Sequence, residues 1–204
     1  ERAVWSNYSG GSGRDTVSVG RFTQGVDIDF GSAACHNGGT TWRVLDFGLA
    51  SQLFYSIENL TGSEFDDVLT GDSATNVLRG LGGDDVLNGG DGLDFLEGGA
   101  GADILNGGGA GDYASYEHSR SAVWIDLDAQ EYFGGDAEGD TLTSIGYVIG
   151  SDFADTVFGT DNYANVFKGG RGDDWFVASG GNDQFYGEAD FDTVDYADMT
   201  SAIT

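Results

Sequence analysis

Proline is absent from the 204 residues, cysteine occurs once, and basic side chains number only 8. Each shortage excludes something. Without proline the chain is neither collagen-like nor a proline-rich linker. With Cys35 alone, no disulfide can form within the chain. Against the 8 basic residues stand 35 acidic ones, so the formal net charge is −27. That balance argues against nucleic acid or an anionic membrane as a partner, because both attract basic surfaces. No apolar run reaches the length of a membrane helix, so no membrane insertion is expected, and no stretch reads as a signal peptide. The sequence opens on Glu1 rather than Met, which reads as a processed product or a piece of a longer protein.

Glycine, by contrast, is abundant at 36 residues, and 39% of the chain is hydrophobic. Many glycines without proline suit a chain that turns often and pairs its backbone between turns. A charge this large opposes compaction, yet so apolar a composition is not that of a disordered acidic tail. Such a chain needs something to cancel its charge, and a divalent cation is the simplest candidate.

Internal repeats decide the reading. From Gly62 the sequence divides into nines: GSEFDDVLT, GDSATNVLR, GLGGDDVLN, GGDGLDFLE, GGAGADILN and GGGAGDYAS. Their sixth positions are Asp67, Asn76, Asp85, Asp94, Asp103 and Asp112; their eighth are Leu69, Leu78, Leu87, Leu96, Leu105 and Ala114. A second run starts at Gly150 and, after slipping by one residue, places Asp155, Asn165, Asp174, Asp183 and Asp192 sixth. A lone copy near the start has Asp15 sixth and Val17 eighth, and Asp15 reads equally well as a turn former.

These units resemble the G-G-x-G-x-D-x-U-x calcium-binding repeat of the RTX family, found in bacterial toxins, proteases, lipases, adhesins, surface layers and epimerase modules. The fold expected is all-β: a parallel β-roll, or β-solenoid, of stacked two-strand coils. Each nine splits into a six-residue turn and a three-residue strand. The eighth residue points inward and its neighbours outward, because strand side chains alternate. Leu69, Leu87 and Leu105 then line one sheet, and Leu78, Leu96 and Ala114 the other.

The resemblance implies several Ca²⁺ ions held between turns eighteen residues apart by glycine carbonyls and Asp side chains. On one edge Asp67 pairs with Asp85 and Asp85 with Asp103; on the other, Asn76 pairs with Asp94 and Asp94 with Asp112. In the second run, which opens on Asp155, Asn165 pairs with Asp183 and Asp174 with Asp192. Carbonyls come from Gly90, Gly92, Gly99 and Gly101, from Gly83 and Gly108 in neighbouring turns, and from Gly170 and Gly172 in the second run. The first two nines lack the second and fourth glycines and Asn76 is neutral, so sites there are expected to be weak or empty.

Between the runs, SAVWIDL (121–127) aligns with GVDIDF (25–30), and TSIGYVIGSDFADT (143–156) with YSIENLTGSEFDDV (55–68). A larger cassette therefore recurs. The chain reads as a partial cassette at 1–61, a six-repeat roll at 62–115, a strand-rich connection at 116–149, and a second run leading into a further cassette at 150–204.

No H-E-x-x-H or G-x-S-x-G occurs, so the zinc protease and lipase signatures are missing. Cys35-His36 in a Gly-rich loop reads as incidental. Paired acids such as Asp66–Asp67 and Asp84–Asp85 are explained by the repeat rather than by glycoside hydrolysis. Trp5, Trp42, Trp124, Trp175, Tyr132 and Phe133 are expected to be exposed, stacking on sugars or, by preference, packing a sheet face or a subunit contact. The expectation is a non-enzymatic structural module of a secreted bacterial protein (surface layer, adhesin or filament), exported by type I secretion and folding on calcium outside the cell. Self-assembly with like subunits and an extracellular polysaccharide are candidate partners. The alternatives are an accessory module of a secreted epimerase, lyase or protease, and a calcium-dependent carbohydrate-binding adhesin domain.

Overall fold

A computed structural model describes residues 8–9, 14, 16–18, 27–29, 41–45, 52–55, 58–109, 111–161 and 164–197. Asp15, Cys35, His36 and Trp5 lie outside them. The strands, in chain order, are β1 (Tyr8–Ser9), β2 (Thr16–Ser18), β3 (Asp27–Asp29), β4 (Thr41–Leu45), β5 (Gln52–Tyr55), β6 (Asn59–Thr61), β7 (Val68–Thr70), β8 (Val77–Gly82), β9 (Val86–Gly90), β10 (Phe95–Ala100), β11 (Ile104–Gly108), β12 (Asp112–Ser115), β13 (Trp124–Asp126), β14 (Glu131–Phe133), β15 (Thr141–Thr143), β16 (Ile145–Ile149), β17 (Thr156–Phe158), β18 (Val166–Gly170), β19 (Trp175–Val177), β20 (Gln184–Glu188) and β21 (Thr193–Asp195), with one 3-10 turn at Gly135–Ala137. Among the described residues, no helix is long and apolar enough to cross a membrane.

Successive strands alternate between two sides. One sheet runs β2-β6-β8-β10-β12-β16-β18-β20; facing it are β1-β5-β4-β3-β7-β9-β11-β15 and then β14-β13-β17-β19-β21. In the nine-residue runs every pairing is parallel and in phase with the nines, so Leu87 meets Leu69 and Leu105, and Leu96 meets Leu78. This is a parallel β-roll of two-strand coils, as the period of nine predicts. A three-residue strand buries too little to stand alone, so each coil depends on its neighbours.

The eighth-position residues form the core. Leu69, Leu78, Leu87, Leu96, Leu105 and Ala114 are fully buried. The second run replaces leucine with larger rings: Phe167, Phe176 and Phe185 pack with centroids 5.6 to 6.3 Å apart. Ile28 and Ile125, aligned in the two cassettes, both reach 0% exposure. Both lead into an antiparallel return, β3 with β4 and β13 with β14. The β13–β14 turn is built by the Asp126 side chain, which accepts the N–H groups of Asp128 (3.0 Å) and Ala129 (2.7 Å), with Gln130 at φ +57°. Asx geometry of this kind is a common way to begin a tight turn.

One sequence expectation changes here. Tyr132 is buried, not exposed, because alternation along β14 sends it inward and Phe133 outward. By sequence count, the extra residue of the second run falls between β17 and β18. The strands on either side keep their register, with Val148 opposite Phe167 and Phe167 opposite Phe185.

Candidate metal centre

The sixth-position residues stack along the two edges of the roll where the turns lie. Each carboxylate Oδ1 accepts the backbone N–H of the sixth residue one coil earlier. Asp85 accepts from Asp67 (2.7 Å), Asp103 from Asp85 (2.8 Å), Asp94 from Asn76 (2.8 Å) and Asp112 from Asp94 (2.8 Å). In the second run Asp174 accepts from Asp155, Asp183 from Asn165 and Asp192 from Asp174. The edge pairings read from the sequence are the ones that form.

The second oxygen is the informative one. Oδ2 of Asp85, Asp94, Asp103, Asp112 and Asp174 is buried and has no hydrogen-bond donor. A buried, unpaired carboxylate oxygen is costly, and a native protein compensates it with a counter-charge or a proton. Burial comes first among the causes that raise these groups above their ordinary value. Asp85 is pushed up to about 8, with Asp103, Asp67 and Asp66 repelling it further. Asp174 reaches about 7, and Asp94 and Asp103 about 6, each held back in part by the N–H it accepts.

Carbonyl oxygens complete the surroundings. All eight glycines that the repeat nominates, Gly83, Gly90, Gly92, Gly99, Gly101, Gly108, Gly170 and Gly172, have φ between +91° and +151°. At Gly99 this conformation faces the Leu81 carbonyl oxygen, and at Gly101 the Gly83 carbonyl oxygen, one coil earlier; a Cβ at either would fill that space. Carbonyls and carboxylates are hard oxygen donors, the set that calcium takes in numbers of about 6–8 and that zinc and copper disfavour. The residues present therefore fit calcium. Bound there, it supplies the positive charge that Asp85, Asp94, Asp103, Asp112 and Asp174 lack, and it ties each turn to the next.

Not every nominated side chain is open in this way. Asp67 and Asp155 have both oxygens engaged by Ser63 and Ser151, and the Asn76 and Asn165 carbonyl oxygens accept the N–H groups of Asp72 and Thr160. Asp183 Oδ2 accepts the Ser179 hydroxyl at 3.1 Å, and Asp192 is exposed.

Sequence reasoning missed Asp140. Its Oδ1 accepts the Asp103 N–H at 2.8 Å, continuing the ladder, and its Oδ2 accepts the Tyr116 hydroxyl at 2.9 Å. The signal was present: GDAEGDTLT (135–143) has glycine first, Asp140 sixth and buried Leu142 eighth. Outside the ladder, Glu97, Glu117 and His118 cluster within 4.8 Å. The Glu97 oxygens are taken by Arg79 Nε (2.8 Å) and His118 Nδ1 (2.5 Å), which pin the 116–122 segment to the outer face of β10.

A comparison with known families agrees with this geometry. The RTX calcium-binding nonapeptide repeat (4 copies) matches residues 56–87, 79–114 and 160–194. No curated protein matches the chain. The matched stretches hold all five unpaired buried oxygens and the ladder except Asp140 and Asp155. Those residues are RTX calcium-binding nonapeptide repeats, and they form a calcium-binding β-roll module.

Proposed function

We propose that this module is a structural part of a secreted bacterial protein, without catalytic activity of its own, that folds when calcium binds outside the cell. The observation that carries the reading is the row of buried carboxylate oxygens without donors. A chain of net charge −27 that must also bury these carboxylates resists folding until a cation compensates them. RTX repeats are typical of secreted bacterial proteins, and extracellular calcium reaches the range in which weak oxygen sites fill. The role that suits such a stack is a surface layer, an adhesin stalk or a filament, with like subunits as partners. Strand edges at the ends of a roll favour end-to-end addition. Electron microscopy of the protein in calcium tests this: filaments or lattices that disperse in chelator support it, and isolated particles in both conditions defeat it.

A second reading rests on the outer face of the β13–β17–β19 sheet. Trp124, Phe133 and Trp175 are each more than 40% exposed there, and the Trp124 ring lies 5.1 Å from Phe158. Such a face suits stacking on sugar rings of an extracellular polysaccharide. Glycan binding in calcium that is lost in Trp124→Ala and Trp175→Ala would favour it over the structural role.

A further inference from the structure

Nine of the sixth-position side chains fall into two classes, and the second residue of the turn separates them; Asp140, Asp183 and Asp192 stand outside this division. Where that residue is Leu81, Gly90, Gly99, Gly108 or Gly170, its φ lies between +89° and +107°. The sixth-position carboxylates of those turns are the five with an unpaired Oδ2. Where it is Ser63, Asp72, Ser151 or Thr160, φ is not in the positive region. Its own N–H then donates to the sixth side chain: Ser63 to Asp67 at 2.5 Å, Asp72 to Asn76 at 2.8 Å, Ser151 to Asp155 at 2.6 Å and Thr160 to Asn165 at 2.9 Å. Leu81 adopts the open form although a leucine is strained at φ +89°, so the open conformation belongs to the turn and not merely to glycine.

Closed turns are closed from several directions. The Ser63 and Ser151 hydroxyls donate to Oδ1 of Asp67 (3.2 Å) and Asp155 (2.7 Å). The Asn76 and Asn165 Nδ2 groups donate to the Glu58 and Gly146 carbonyls at 3.1 and 3.3 Å, joining stacked turns directly. Their positions are equally regular. One pair of closed turns begins each run, holding Asp67 and Asn76 in the first and Asp155 and Asn165 in the second. Asp140, closed by the Tyr116 hydroxyl, ends one edge of the first run. The same second-to-sixth hydrogen bond thus forms in both runs, Ser63 to Asp67 and Ser151 to Asp155, Asp72 to Asn76 and Thr160 to Asn165.

We propose that calcium is confined to the open turns, and that the closed turns are metal-free ends that set where each calcium run starts and stops. This rests on the calcium reading above. A carboxylate whose two oxygens already accept an N–H and a hydroxyl has its charge partly compensated, and a cation competing for those oxygens would strip donors that are themselves buried. The closed coils join the ion-held stack to the connecting segment with both oxygens of the buried Asp67 and Asp155 already hydrogen-bonded. Run length, and hence ion number, is then written largely in the second residue of the nines that bury their sixth side chain.

Native mass spectrometry of the full chain in excess calcium, with titration calorimetry alongside, tests this. Asp67→Asn/Asp155→Asn and Asp103→Asn/Asp174→Asn each remove two charges and keep an acceptor oxygen. The first double variant is expected to bind as many ions as the wild type, and the second fewer. Equal loss in both would overturn the proposal. Should the first fail to fold, Asn76→Ser/Asn165→Ser serves instead: an unchanged ion count supports the proposal and a reduced one overturns it. A wild-type chain that binds no calcium would instead remove the reading on which the proposal stands.

Discussion

Replacing Asp94 with asparagine removes one buried charge while keeping the shape of the side chain. Asp94 is fully buried, its Oδ1 accepts the Asn76 N–H at 2.8 Å, and its Oδ2 has no donor. Asparagine retains the first acceptor but turns a donor toward the place where a cation is needed. For a site of the extracellular class, with a Kd of about 0.1 mM, about 10 mM calcium is a hundredfold excess. Occupancy at that excess stabilises the fold by about 2.7 kcal/mol. For a domain of this size each kcal/mol moves Tm by about 2–4 °C, so the variant should melt about 5–10 °C below the wild type. Asp94→Ala should lose about 1–3 kcal/mol more, because the buried Asn76 N–H is then left without an acceptor. Thermal unfolding followed by far-UV circular dichroism across a calcium series reads this. The gap between wild type and Asp94→Asn should widen as calcium rises, since the linkage grows with concentration. A gap that is absent, or that stays constant at all calcium levels, refutes the role given to this carboxylate.

Two further outcomes follow from the same geometry. In chelator, Asp85, Asp174 and Asp94 would have to rise from the ordinary 3.8 to about 8, 7 and 6 in the folded chain. A raised carboxylate stabilises the fold fully below its unfolded value, and that stabilisation is lost as pH rises through the folded value. Metal-free protein should therefore gain strand signal as pH falls from about 8 to about 4; a spectrum in chelator that does not change over that window contradicts the desolvation argument. Gly99→Ala places a Cβ against the Leu81 carbonyl oxygen at φ +99° and should cost at least about 1–2 kcal/mol. Gly82→Ala, whose Cβ would meet nothing nearer than the flexible Glu64 carboxylate at 3.2 Å, should cost much less. Equal melting temperatures for the two variants would remove the reason given for glycine at position 99.

The period of nine made the roll legible because one number sets strand length, turn length, inward residue and ladder spacing together. Leu69 to Leu105 and Asp85 to Asp112 follow from it without further information. What escaped was set by contacts that no period encodes. Asp140 belongs to the ladder, but its nine lies after an excursion through the β13–β14 hairpin, residues 116–134, and lacks the second glycine, so phase counting from Gly62 never reaches it. Tyr132 was misplaced because a three-residue strand offers too little alternation to tell which neighbour turns inward. The missing glycines at Ser63 and Asp72 pointed to weak sites. Their physical cause, an amide that reaches the sixth side chain once φ is no longer positive, needed the turn geometry.

Circular dichroism of the whole chain at neutral pH, first in millimolar calcium, then in excess EGTA, then with calcium restored, bears most directly on the account. Filling five open turns at one to ten times their Kd is worth about 2–7 kcal/mol in total, comparable with the net stability of an ordinary domain. The predicted result is a strand spectrum that disappears in EGTA and returns with calcium. A strand spectrum that persists unchanged in excess EGTA would show that the carboxylate ladder holds together without its cation, and would contradict the account.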